Sequence, residues 1–84
     1  MAERKNGLVK FTFEGKEFEC DPKALHSYSV GKMLSDEKHP ERIYRAMELI
    51  FAGRDLEYAE AVGDTGEKMA QLANAAAEAV GAKN

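Results

Sequence analysis

Residues 8–25 read LVKFTFEGKEFECDPKAL, and this stretch decides the fold. Val9, Phe11 and Phe13 alternate with polar residues on one arm, and Lys16, Phe18 and Cys20 occupy the matching positions of the other. Period-two alternation is the signature of a strand with one covered face. Glu14-Gly15 lies between the arms, and Gly15 tolerates the positive φ of a two-residue hairpin turn. This register sets Phe11 opposite Phe18 and Val9 opposite Cys20, which makes one face of the ribbon apolar. An isolated hairpin is marginal in water, so helices or a second chain must cover that face. Asp21-Pro22 then marks a helix start, with Asp21 as N-cap and Pro22 at the first helical position.

Outward from the hairpin the chain reads as helices. A short one runs from Pro22 to about Ser27. Ser27 or Ser29 caps a second that carries Val30, Met33 and Leu34, weakened by Gly31. After the polar link SDEKH at 35–39, Pro40 opens the strongest helix, expected to reach Ala52. Ile43, Met47 and Ile50 share its stripe, widened by Tyr44, Ala46 and Phe51. Gly53 fits a left-handed stop. Asp55 is expected to cap a helix from Leu56 to Val62, with Tyr58, Ala59 and Val62 on one side. Asp64-Thr65-Gly66-Glu67 reads as a capping box opening a last helix from about Thr65 to Val80. Met69, Leu72, Ala73, Ala76 and Val80 recur along that helix at helical spacing, and Gly81 ends it. The expected class is α+β, mainly α: an N-terminal β-hairpin followed by about four to five helices. The chain of 84 residues forms a single domain, with 1–7 flexible, 8–20 the hairpin and 21–81 a helical body.

Charge and composition narrow the function. Lys and Arg number 12 against 15 Asp and Glu, a net charge of -3. No segment is strongly basic, which argues against nucleic acid as a partner. No apolar run approaches the roughly 20 residues of a membrane span. The charged opening MAERKNG lacks the apolar core of a secretory signal, and cytosolic residence fits a lone cysteine.

The sequence offers little chemistry. Cys20, His26 and His39 are too few for a structural zinc site, which takes about four ligands. Cys20 falls on the apolar face and reads as a core thiol. No orienting partner for a Cys–His nucleophile can be named, and no glycine cluster forms a phosphate loop. Glu48, Glu57 and Glu60 read as a solvated surface. No catalytic, cofactor-binding or metal-binding residue is assigned, and a non-enzymatic binding role is expected. The candidate partner contacts are Phe11, Phe13, Phe18, Tyr28, Ile50 and Phe51, each weighed against simple core use. A hairpin edge can add a strand from another subunit, and an amphipathic helix can dock on a larger partner.

The pattern Phe11-x-Phe13-x-Gly15-Lys16-x-Phe18-x-x-Asp21-Pro22-x-Ala24-Leu25, followed by acidic helices, resembles the small tail assembly chaperones of long-tailed bacteriophages. That resemblance implies an α-rich fold behind an N-terminal hairpin and a non-enzymatic role in the host cytoplasm. It implies a chaperone that coats the tape measure protein, keeps it soluble and yields to tail tube subunits, and that is absent from the mature virion. It further implies a homo-oligomer, no cofactor, and neither nucleic acid nor membrane as partner. Residues 26–31, HSYSVG, depart from the family's bulkier, more acidic helix. Two alternatives from other classes stand beside it. One is a small DNA-associated regulator that uses 40–52 and 55–62 as a helix-turn-helix-like pair. The other is a virion structural or connector component.

Overall fold

A computed structural model describes residues 7–82. The expectation for 1–7 therefore lies, Gly7 apart, outside the described residues. Strands β1 (Val9–Phe13) and β2 (Lys16–Cys20) form an antiparallel hairpin in the expected register, Phe11 opposite Phe18 and Val9 opposite Cys20. Glu14 and Gly15 both take positive φ, 52° and 81°, so the connection is the primed turn whose twist matches the strands. Five helices follow: α1 (Pro22–Leu25), α2 (Tyr28–Leu34), α3 (Pro40–Ile50), α4 (Asp55–Val62) and α5 (Gly66–Ala79). The architecture is α+β, mainly α.

Short-range signals set most helix boundaries. The Asp21 side chain accepts from the Lys23 amide at 2.9 Å, and Pro22 opens α1. This helix is shorter than expected because Ser27 leaves it to cap α2, accepting from the Val30 amide at 3.2 Å. Helix α3 stops at Ile50 rather than Ala52. Ala52 and Gly53 turn left-handed, at φ 55° and 84°, and the Gly53 amide returns to the Glu48 carbonyl at 2.8 Å.

Two expected caps belong to other residues. Asp55 lies inside α4 rather than before it, because the Tyr58 amide already donates to the Arg54 carbonyl at 3.0 Å. Its carboxylate still complements the positive end of the helix. Asp64 does not cap α5. It is held left-handed at φ 60° by its amide's bond to the Ala59 carbonyl, at 2.6 Å, which closes α4. Thr65 is extended and takes the cap, accepting from the Lys68 amide at 3.1 Å. Glu67 is then one position too early for a reciprocal box.

The core lies between the apolar face of the hairpin and the helices. Phe11, Phe18, Cys20, Ala46, Ile50, Phe51, Leu72 and Ala76 are buried in it. Tyr58 is the hub. Its ring meets Phe18 edge-on at 4.9 Å and Phe51 edge-on at 5.5 Å, and Phe11 joins through Phe18 at 5.8 Å. The Tyr58 hydroxyl accepts from the Glu19 amide at 3.1 Å, and the Asp21 amide donates to the Ile50 carbonyl at 2.8 Å. Both bonds seal the outer side of β2 against the helices. Among the described residues no buried side-chain polar atom lacks a partner.

Candidate functional site

Of the six contact residues expected from sequence, the fold consumes most in its own core. Phe11, Phe18, Ile50 and Phe51 are buried within the chain, and Phe13 is half-buried against the same cluster. Tyr28 alone is open, 80% exposed on α2, with the Lys32 ammonium 6.0 Å from its ring centre. The structure brings Phe11, Phe18 and Phe51 together around Tyr58 and leaves Tyr28 outside that cluster.

The open apolar surface lies elsewhere. A groove of about 300 Å³ runs between α3, α4 and the start of α5. Ile43, Tyr44 and Met47 come from α3, Leu56 and Ala59 from α4, and Met69 from α5. Met47 and Ala59 are buried at its base, whereas Tyr44 and Leu56 stand 70% and 79% exposed at its edges. Among the described residues the large exposed hydrophobics are Tyr28, Tyr44 and Leu56, so two of the three border this one groove. Large apolar side chains gathered at one exposed place mark a binding surface, whereas scattered ones do not.

The polar wall of the groove is acidic. Asp55 and Asp64 line it with Thr65, and among the described residues no lysine, arginine or histidine does. Neither carboxylate takes part in an ion pair among the described residues.

A second, shallower depression of about 180 Å³ lies by the hairpin, lined by Lys10, Glu17, Phe18, Glu19, Arg54 and Tyr58. Of its charged groups, Arg54 and Glu19 are already engaged. The Arg54 guanidinium lies 5.0 Å from the Tyr58 ring centre and donates to both carboxylate oxygens of Glu57, at 3.1 and 3.0 Å. It also stands 3.5 Å from Glu19. The Glu57 bond holds Arg54 above its ordinary pKa and Glu57 below its own. With Arg54 so held, α4 presents Glu57 and Glu60 to solvent beside a half-buried Asp55, a poor surface for the phosphate backbone of DNA.

Cys20, His26 and His39 each sit in a contact within the fold. Cys20 has no exposed surface, and burial, reinforced by the charge of Asp21, pushes its thiol up to about 11. A thiol held neutral is a poor nucleophile at neutral pH. His39 Nδ1 lies 3.0 Å from an Asp36 oxygen, a bond that holds the Asp36 carboxyl below the usual range, with Arg42 nearby at 3.3 Å. His26 Nε2 meets the Val80 carbonyl at 3.1 Å and links α1 to the end of α5. Among the described residues no group of three or more His, Cys, Asp or Glu is placed to hold a metal ion, and no helix is long and apolar enough to cross a membrane.

Sequence reasoning missed the groove. Its signal was Leu56, a large apolar residue off the buried stripe that Tyr58, Ala59 and Val62 define. Comparison with known proteins finds no matching family model, no matching curated protein and no matching solved structure.

Proposed function

We propose that this chain is a non-enzymatic tail assembly chaperone. It holds an apolar helical stretch of a tape measure protein in solution until tail tube subunits replace it. It acts in the host cytoplasm and leaves before the virion matures. The observation that carries this reading is the groove edged by Tyr44 and Leu56, where a domain otherwise closed around its core leaves large apolar side chains in water. A holding protein needs such a patch, together with an acidic exterior that keeps the free form soluble. The net charge of -3 supplies that exterior. The run from Phe11 to Leu25, with its hairpin and Asp21-Pro22 helix start, adds the resemblance to the chaperone family.

Co-expression tests the proposal. A tape measure protein produced with this chain is expected in the soluble fraction and to co-purify with it. A tape measure protein that stays equally insoluble with and without the chain overturns the reading. Recovery of the chain from purified mature particles does so as well, in favour of a structural or connector role.

A further inference from the structure

We infer that the groove between α3, α4 and the start of α5 receives a basic amphipathic helix, its apolar stripe on Met47, Ala59 and Met69 and its Lys or Arg side chains on Asp55 and Asp64. This deepens the chaperone reading and rests on it for the claim that the occupant belongs to a client protein.

Three features of the groove define that occupant. Its base is apolar and contains two methionines, Met47 and Met69. Thioether side chains repack easily, so the base accepts apolar stripes of varied sequence and sets little specificity by shape. Its long walls are α3 and α4, whose interior backbone groups are bonded within their own segments, and it is closed at one corner by the 64–66 turn into α5. An extended peptide gains its affinity from main-chain bonds to an open sheet edge, and the groove offers none. The occupant must therefore satisfy its own backbone, as a helix does.

Charge supplies the third feature. Asp55 and Asp64 are the charged groups of the lining, and among the described residues neither is ion-paired and no cation shares the groove with them. The cation next in sequence, Arg54, is spent on Glu57 and Glu19. An acidic helix would meet like charge on that wall, and a basic one complements it.

The test uses the full chain and two synthetic helical peptides with the same leucine stripe, one with lysine and one with glutamate on the polar face. At low ionic strength the lysine peptide is expected to bind about tenfold tighter or more, since rim charge pairs each contribute modestly and are screened by salt. Amide shifts in a 15N spectrum are expected at Met47, Ala59, Thr65 and Met69. The double variant Asp55→Asn, Asp64→Asn is expected to lose the preference. The control Glu41→Gln, Glu60→Gln, which removes the same charge outside the groove, is expected to keep it. Equal binding of the two peptides, a preference that survives the aspartate changes, or shifts confined to the hairpin would each overturn the assignment. So would concentration-dependent dimerisation abolished by Leu56→Ser, which assigns the groove to a second copy of the chain. If the lysine peptide binds here while the tape measure protein stays insoluble, the chaperone reading fails and the groove assignment stands. If the client is solubilised but the peptide binds elsewhere, the reverse holds.

Discussion

Helix α3 contributes to two regions that differ in kind. Toward the hairpin it buries Ala46, Ile50 and, at its end, Phe51, where Phe18 and Tyr58 complete an aromatic core. Toward the groove its Ile43 and Tyr44 remain partly or largely open beside Leu56 and Met69. The first region is closed and holds two edge-to-face ring contacts. The second is lined by flexible thioethers and, among the described residues, has no ring contacts of its own. The comparison shows how the described residues divide their apolar content. A small chain has few large side chains to bury. Every one left at the surface is withheld from stability, and here two of the three among the described residues, Tyr44 and Leu56, border one groove.

Breaking the closed region should have the largest effect. Phe51→Ala removes a ring with no exposed surface that packs edge-on against Tyr58. A buried Phe→Ala change costs about 3–5 kcal/mol. Small domains have total stabilities of about 5–15 kcal/mol. The variant is therefore expected to be largely unfolded at 37 °C or to lose most of its urea midpoint, as circular dichroism would show. A midpoint within error of wild type would mean that the ring is not a core element in solution.

The next effect is alkaline and also belongs to the closed region. The Cys20 thiol is pushed up to about 11 in the folded chain, above its ordinary value of 9.0. The folded state then holds a proton that the unfolded state releases first. This contribution is complete below pH about 9 and is lost as the pH rises toward about 11. The urea midpoint is expected to fall across that window, and Cys20→Ala, though less stable overall, should show a flatter fall there. Native protein at neutral pH should react with a thiol reagent only as fast as it opens, and fully once unfolded. Immediate stoichiometric labelling of the native chain would contradict the burial of Cys20.

The closed region was also the more legible one. The alternation of Val9, Phe11 and Phe13 and the Glu14-Gly15 turn specify strands, register and inward face within a dozen residues, because a strand's period is local. Pro22, Ser27 and Gly53 mark helix ends by equally local chemistry. The hub could not be read the same way. Tyr58 meets the Glu19 amide across 39 residues of chain, and nothing near either residue announces it. Four of the six expected contact residues turned out to be core for the same reason: whether a large side chain faces inward or outward along a stripe depends on where its neighbours pack. The groove is assembled from three helices, so no single segment carries its pattern.

A cap separates the two readings of the turn that leads into α5. Sequence pattern favours Asp64, and the structure gives the role to Thr65. Thr65→Ala should cost about 1 kcal/mol, typical of a lost N-cap. Asp64→Asn should change little, since asparagine tolerates the left-handed backbone at that position. The pair of urea midpoints decides between them, and the reverse ranking would restore the capping box. Because Asp64 and Thr65 both border the groove, this turn also fixes how α5 meets its open side.

The smallest effect on stability is expected where the effect on binding is greatest. Leu56 is 79% exposed, so Leu56→Ser removes little buried surface. Surface changes of this kind usually lie within about 0.5 kcal/mol, a modest difference in helix propensity included. The urea midpoint should therefore barely move, in contrast with Phe51→Ala. Binding of the lysine peptide should weaken severalfold, because the edge of the groove loses a leucine that a bound helix would cover. A drop in midpoint comparable to that of a core variant would show that Leu56 is covered within the free chain. The groove would then belong to the closed region, and the contrast between the two sides of α3 would disappear.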